Sequence, residues 1–122
     1  MIKTAASKYI YNMGVVSNLC KHYGCDHVTV FQPMAILHEP DGVHFRSSQS
    51  EYIEDRRRLA QLFRDTVFSG VPKGERFLDF SRVFDRIAET EVFLDEVHFT
   101  DLGNKLIAEE ILNKLQKFPS KF

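Results

Sequence analysis

Two short runs of β-branched and aromatic residues, each set between stretches of helical periodicity, limit most narrowly how this chain can fold. From about Lys8 to Tyr23 the apolar residues Ile10, Met13, Val16, Leu19 and Cys20 recur in steps of three and four, which predicts a helix. Gly24 stands where a glycine C-cap would end it. His27 to Gln32 is short, β-branched and closed by Pro33, so it reads as a strand. Ser48 and Glu51 suit a capping box opening a second helix to about Phe68, with Ile53, Leu59, Leu62, Phe63 and Val67 on one side. Ser69, Gly70 and Pro72 stop it. Arg76 to Phe80 reads as a second strand, Ser81 to Ile87 as a short helical turn and Val92 to Leu94 as a brief extended piece. Thr100 can cap a last helix to about Lys117, with Leu102, Leu106, Ile107, Ile111, Leu112 and Leu115 apolar. The order helix, strand, helix, strand, helix implies an α/β fold with parallel strands and right-handed crossovers. Ligands of such sheets bind at the carboxyl ends of the strands. The loop after Gln32 and the loop holding Asp95 and His98 both fall at such ends.

Bulk properties remove several function classes. The 122 residues fit one domain spanning 1–122. Sixteen basic and seventeen acidic residues give a net charge of -1, so nothing calls for nucleic acid or an anionic membrane. Arg56-Arg57-Arg58 follows Glu51, Glu54 and Asp55 and reads as a solvated helix face. No apolar run is long enough to span a bilayer. The first residues, MIKTAASKYIYNMGVV, lack the continuous apolar region of a signal peptide, and the compartment is left open. Cys20 and Cys25 make neither a disulfide framework nor a C-x-x-C motif; they read as a half-buried helical thiol and a free thiol in the following turn.

The residues that carry chemistry are Asp95 and His98. A histidine acts as general base only when its ring is held and its imidazolium form stabilised, and a carboxylate on one ring nitrogen does both. Three residues of separation, in a loop running into a helix, let a tight turn bring the carboxylate to the imidazole. By itself Asp-x-x-His is a weak signal. Here it is followed by Thr100, Gly103, and Leu106-Ile107-Ala108 on the terminal helix. This block resembles the last block of SGNH/GDSL-type serine hydrolases. Val28 to Pro33 resembles that family's strand beside the active site, and Phe77 to Phe80 the strand preceding its Asp/His loop. The helix from about Lys8 resembles the one after its Gly-x-Asn block.

The resemblance implies the C-terminal part of a flavodoxin-like, three-layer parallel-sheet fold. It also implies hydrolysis of acyl esters on lipids, small molecules or carbohydrates, without a cofactor. His98 would be the general base and Asp95 its orienter, with Gln32 and, less directly, His44 touching substrate. The serine of a Gly-Asp-Ser-like block, the oxyanion glycine and the asparagine have no counterparts. Gly14, Ser17 and Asn18 lie inside a predicted helix, and Ser7 follows no strand. The chain taken alone is therefore expected to be without esterase turnover. With the family's other strands missing, a sheet edge is expected to pair with a second copy or with an N-terminal part.

Two rival readings stand beside this one. Cys20, His22, Cys25 and His27, or His38, Asp41 and His44, are zinc-ligand types, but neither spacing matches a standard zinc pattern, and no metal is expected. A non-catalytic module that keeps the fold and binds a partner or a sugar through the loop from Pro33 to Arg46 is the alternative function. Glu96 reads as solvated, and the eleven phenylalanines as packing.

Overall fold

The computed structural model describes residues 1–38, 50–85, 87 and 91–118. Among them the chain is a mixed α/β fold with three α-helices and a small two-stranded parallel sheet. The order is α1 (Ile2–Tyr23), β1 (Thr29–Phe31), α2 (Ser50–Gly70), β2 (Phe77–Asp79) and α3 (Asp101–Leu115), with a 3-10 turn over Ala35–Leu37. Thr29, Val30 and Phe31 pair with Phe77, Leu78 and Asp79. Both strands are shorter than their apolar runs. The ladder is flanked by Thr29 N–H donating to the Arg76 carbonyl at 2.9 Å and Phe80 N–H to the Phe31 carbonyl at 3.0 Å. Pro33 has no donor with which to carry it further.

Helix α1 starts well before the periodic residues, and its buried face matches the predicted one only in part. Ala6, Met13 and Ser17 are buried, while Val16 and Leu19 are about half exposed. The reason is close approach. Ala6 is fully enclosed with Phe31 and Val67, and Tyr9, Phe63, Phe68 and Phe77 complete that cluster. Tyr9 meets Phe31 and Phe63 edge-on, at 6.0 and 6.1 Å between centroids. A small residue at position 6 lets the helix axis come near the sheet, which the stripe of larger residues would prevent. In α2, Val67 is buried as predicted, but Leu59 and Leu62 are exposed and Ala60 is buried instead.

At its C-terminus α1 ends as expected. Gly24 is left-handed at φ 68°, and Cys25 N–H donates to the Cys20 carbonyl at 2.9 Å. That is the Schellman arrangement, for which glycine is favoured because it has no Cβ to clash.

Two further clusters hold the carboxyl end of the sheet. Ile36 and Leu37 pack with Ala60 of α2. Pro33 and His38 are also buried. The stretch read as the start of a long loop is thus a core segment, because Met34-Ala35-Ile36-Leu37 is too apolar to remain in water. Residues 39–46 of that loop lie outside the described residues. Phe84, Val92 and Phe93 form the other cluster, packed by Phe99 and by Leu106 and Ile107 of α3. Among the described residues, each strand pairs on one side only, and no helix is long and apolar enough to cross a membrane.

Candidate active site

Asp95, Glu96 and Val97 form the tip of a small hairpin. Phe93 and Phe99 make an antiparallel bridge. Leu94 N–H donates to the His98 carbonyl at 2.8 Å, and Thr100 N–H to the Val92 carbonyl at 3.0 Å. At the tip, Asp95 Oδ1 accepts the Val97 and His98 N–H groups at 2.9 and 2.8 Å. An Asp side chain that closes a turn on its own backbone in this way substitutes for a main-chain turn bond.

The other oxygen, Asp95 Oδ2, lies 2.6 Å from His98 Nδ1. A carboxylate only accepts, so Nδ1 carries the proton, and in the neutral ring Nε2 keeps its lone pair. The Val97 amide, the His98 ring and the His98 amide, in that order, hold the Asp95 carboxyl at about 2, below its ordinary 3.8. The carboxylate is therefore charged across the whole neutral range. His98 is 72% exposed, so Nε2 is on an accessible ring. This is the tautomer and orientation a general base requires.

The hairpin is fixed from three sides. Thr100 caps α3, accepting from Gly103 N–H at 3.1 Å and donating to the Glu91 carbonyl at 2.9 Å. Gly103 is buried, and a Cβ there would overlap the Val92 carbonyl oxygen and approach Phe99 Cβ to 3.2 Å. The glycine five residues after His98 thus permits α3 to start against the hairpin backbone. Ala35 N–H donates to the Glu96 carbonyl at 3.0 Å, tying the tip to the segment that follows β1. The Glu96 carboxylate pairs with Arg56 of α2, and Arg57 Nε donates to the Ile36 carbonyl at 3.1 Å. Glu96 and the arginine run, read as solvated, are in part braces between α2, the 3-10 turn and the hairpin. Their partners lie 40 and 21 residues away, so local charge patterning held no sign of this.

Gln32 is exposed one residue beyond β1, on the side of the sheet that holds the hairpin. His44 lies outside the described residues, as do Asp41 and the Ser48 cap. His38 is not a surface ligand. It is 1% exposed, its Nδ1 lies 2.9 Å from the Met34 carbonyl, and its Nε2 accepts Phe84 N–H at 3.1 Å. Phe84 and Phe93 stand 5.5 and 5.3 Å from its ring. With both ring nitrogens in use, this histidine welds the 3-10 turn to the turn over residues 81–85.

Several other polar groups are engaged away from the hairpin. Ser17 is buried in α1 and donates to Glu75 Oε1 at 2.8 Å, while His27 Nε2 lies 3.3 Å from Glu75 Oε2. Ser81, two residues after β2, is enclosed and accepts from Arg64 Nε at 2.8 Å. Arg64 also donates to Asp79 at 2.6 Å. That network at the end of β2 was not foreseen; only the alternation of Asp79 and Ser81 past a strand hinted at it. His22 turns its ring to Tyr23 at 4.8 Å. Among the described residues no three His, Cys, Asp or Glu side chains are grouped to hold a metal ion.

No protein-family model, curated protein or solved structure matches this chain. What the site can do follows from its own geometry. It offers an oriented, exposed imidazole at the carboxyl end of a parallel sheet, backed by an ionised carboxylate.

Proposed function

We propose that Asp95 and His98 are the orienter and general base of an SGNH/GDSL-type serine hydrolase acting on acyl esters, and that this chain forms the C-terminal part of its flavodoxin-like domain. The observation that carries the reading is the 2.6 Å contact between Asp95 Oδ2 and His98 Nδ1, made by a hairpin docked beside the end of β1. In this reaction His98 Nε2 takes the proton of a serine hydroxyl as its oxygen attacks the ester carbonyl, then returns it to the departing alcohol. Water deacylates the serine by the same route. The nucleophile comes from a Gly-Asp-Ser-like block, which these 122 residues do not contain. In this reading exposed Gln32, one residue after β1, contacts substrate, and exposed Leu94 and Val97 give the hairpin an apolar rim for an acyl group.

The test is hydrolysis of a simple activated acetyl ester by a protein in which this chain is joined to, or mixed with, a segment bearing that block. His98→Ala should lower kcat by roughly 10⁴ to 10⁶ and Asp95→Asn by about 10⁴, since an unoriented imidazole presents the wrong tautomer. The chain alone should give no turnover above buffer. A His98→Ala protein that hydrolyses at the parent rate overturns the assignment. A protein that binds acylated sugars yet never cleaves them favours the non-catalytic module.

A further inference from the structure

At the opposite end of α1, Cys20 and Cys25 are both free thiols, one half-buried and one exposed. The Schellman turn places them together. Its bond from Cys25 N–H to the Cys20 carbonyl is 2.9 Å long. With that bond in place, standard backbone dimensions keep the two Cα atoms within about 7 Å, the reach of a disulfide. The same motif frequently brings these two side chains together. Both line a solvent-facing cleft of about 440 Å³, together with Lys21, Asp26, His27 and Lys73.

We propose that Cys20 and Cys25 are a redox-modification site, oxidised by small-molecule disulfides to an intramolecular disulfide that closes the C-terminal turn of α1. The exposed thiol acts first. The Cys25 thiolate attacks one sulfur of the small disulfide, whose S–S bond breaks and releases one thiolate. Cys20 then gives its proton to solvent and attacks the Cys25 sulfur. The mixed disulfide breaks, and the second small thiol leaves. Two cysteine thiols are oxidised, and one small disulfide is reduced to two thiols. The order follows from the environment of Cys20. The neighbouring Cys25 thiol, then burial, then the charges of Cys25 and Asp26 push its thiol up, so it is the poorer initial nucleophile and the natural resolving group.

The 122-residue chain, incubated with oxidised glutathione, alkylated and analysed by mass spectrometry, tests this. The expected product has lost both alkylatable thiols together and is lighter by two hydrogens. Trypsin cuts after Lys21, between the cysteines, so the two resulting peptides should stay joined until reductant is added. Cys20→Ser should stop at a glutathione adduct on Cys25. A wild-type chain that stops at this adduct with Cys20 still alkylatable, or that forms only Cys25-linked dimers, overturns the proposal.

Discussion

Asp95 divides its two oxygens between the backbone and the imidazole, and this division makes its titration a direct probe of the turn. Its folded-state value, about 2, lies below the ordinary 3.8. The contribution of the ionised carboxylate to stability is therefore complete above the ordinary value and is lost as pH falls through about 2. Carboxyl carbon shifts followed by NMR should show Asp95 titrating at about 2, with the Val97 and His98 amides losing exchange protection together below it. A midpoint at 3.8 would mean that the turn does not form in solution. His38 gives the opposite kind of prediction. Substitution by leucine leaves the Phe84 amide and the Met34 carbonyl without their ring partner in a buried place, which costs about 1–3 kcal/mol. Urea unfolding should show that loss, with the cooperativity of the transition unchanged. The pair at 95 and 98 was legible in the sequence because everything that shapes it is close along the chain. The burial of His38 was not, because its amide donor is 46 residues distant.

The elements meet where small residues allow it. Gly103 is the sharpest case: its missing Cβ is what lets the first turn of α3 rest on the Val92 carbonyl. Alanine at 103 should destabilise the fold by about 1–3 kcal/mol, the usual range for overpacking, despite its better helix propensity. Thermal unfolding of Gly103→Ala beside an alanine variant at exposed Asn104 separates the two effects; equal midpoints would show that α3 is not seated on the hairpin. The helix boundaries marked by single residues, Gly24 and Thr100, were legible because caps are local chemistry. The buried faces of α1 and α2 were read only in part: Met13 and Val67 are enclosed as expected, but periodicity counts large apolar residues and so passed over Ala6, Ser17 and Ala60, which are enclosed too. Which stripe faces inward depends on how closely two elements approach, and that is decided by their partners.

As a whole, the molecule places its candidate chemistry at one end of the sheet and its paired thiols at the other. Among the described residues the sheet has two strands of three residues each, with unpaired outer edges. Sheets of this size need a third strand or more cover for independent stability. Helix α1 also leaves Tyr11, Val15, Leu19 and Tyr23 along one exposed stripe. Self-association of the 14.2 kDa chain is the expected outcome in sedimentation velocity at micromolar concentration. A strictly monomeric species that unfolds cooperatively would show that the edges are tolerated as they stand. The alternation of elements was enough to foresee a parallel pair, but nothing local tells how many strands join it. The hairpin, by contrast, is independent of that number. Its turn bonds close between Val92 and Thr100, the Ala35 amide and Arg56 hold its tip, and Phe93 and Phe99 seat its base on Phe84. Such a unit is portable: a protein engineer could transplant it between scaffolds as a preassembled carboxylate–imidazole pair, matching the docking amide, the aromatic seat and the glycine under its exit.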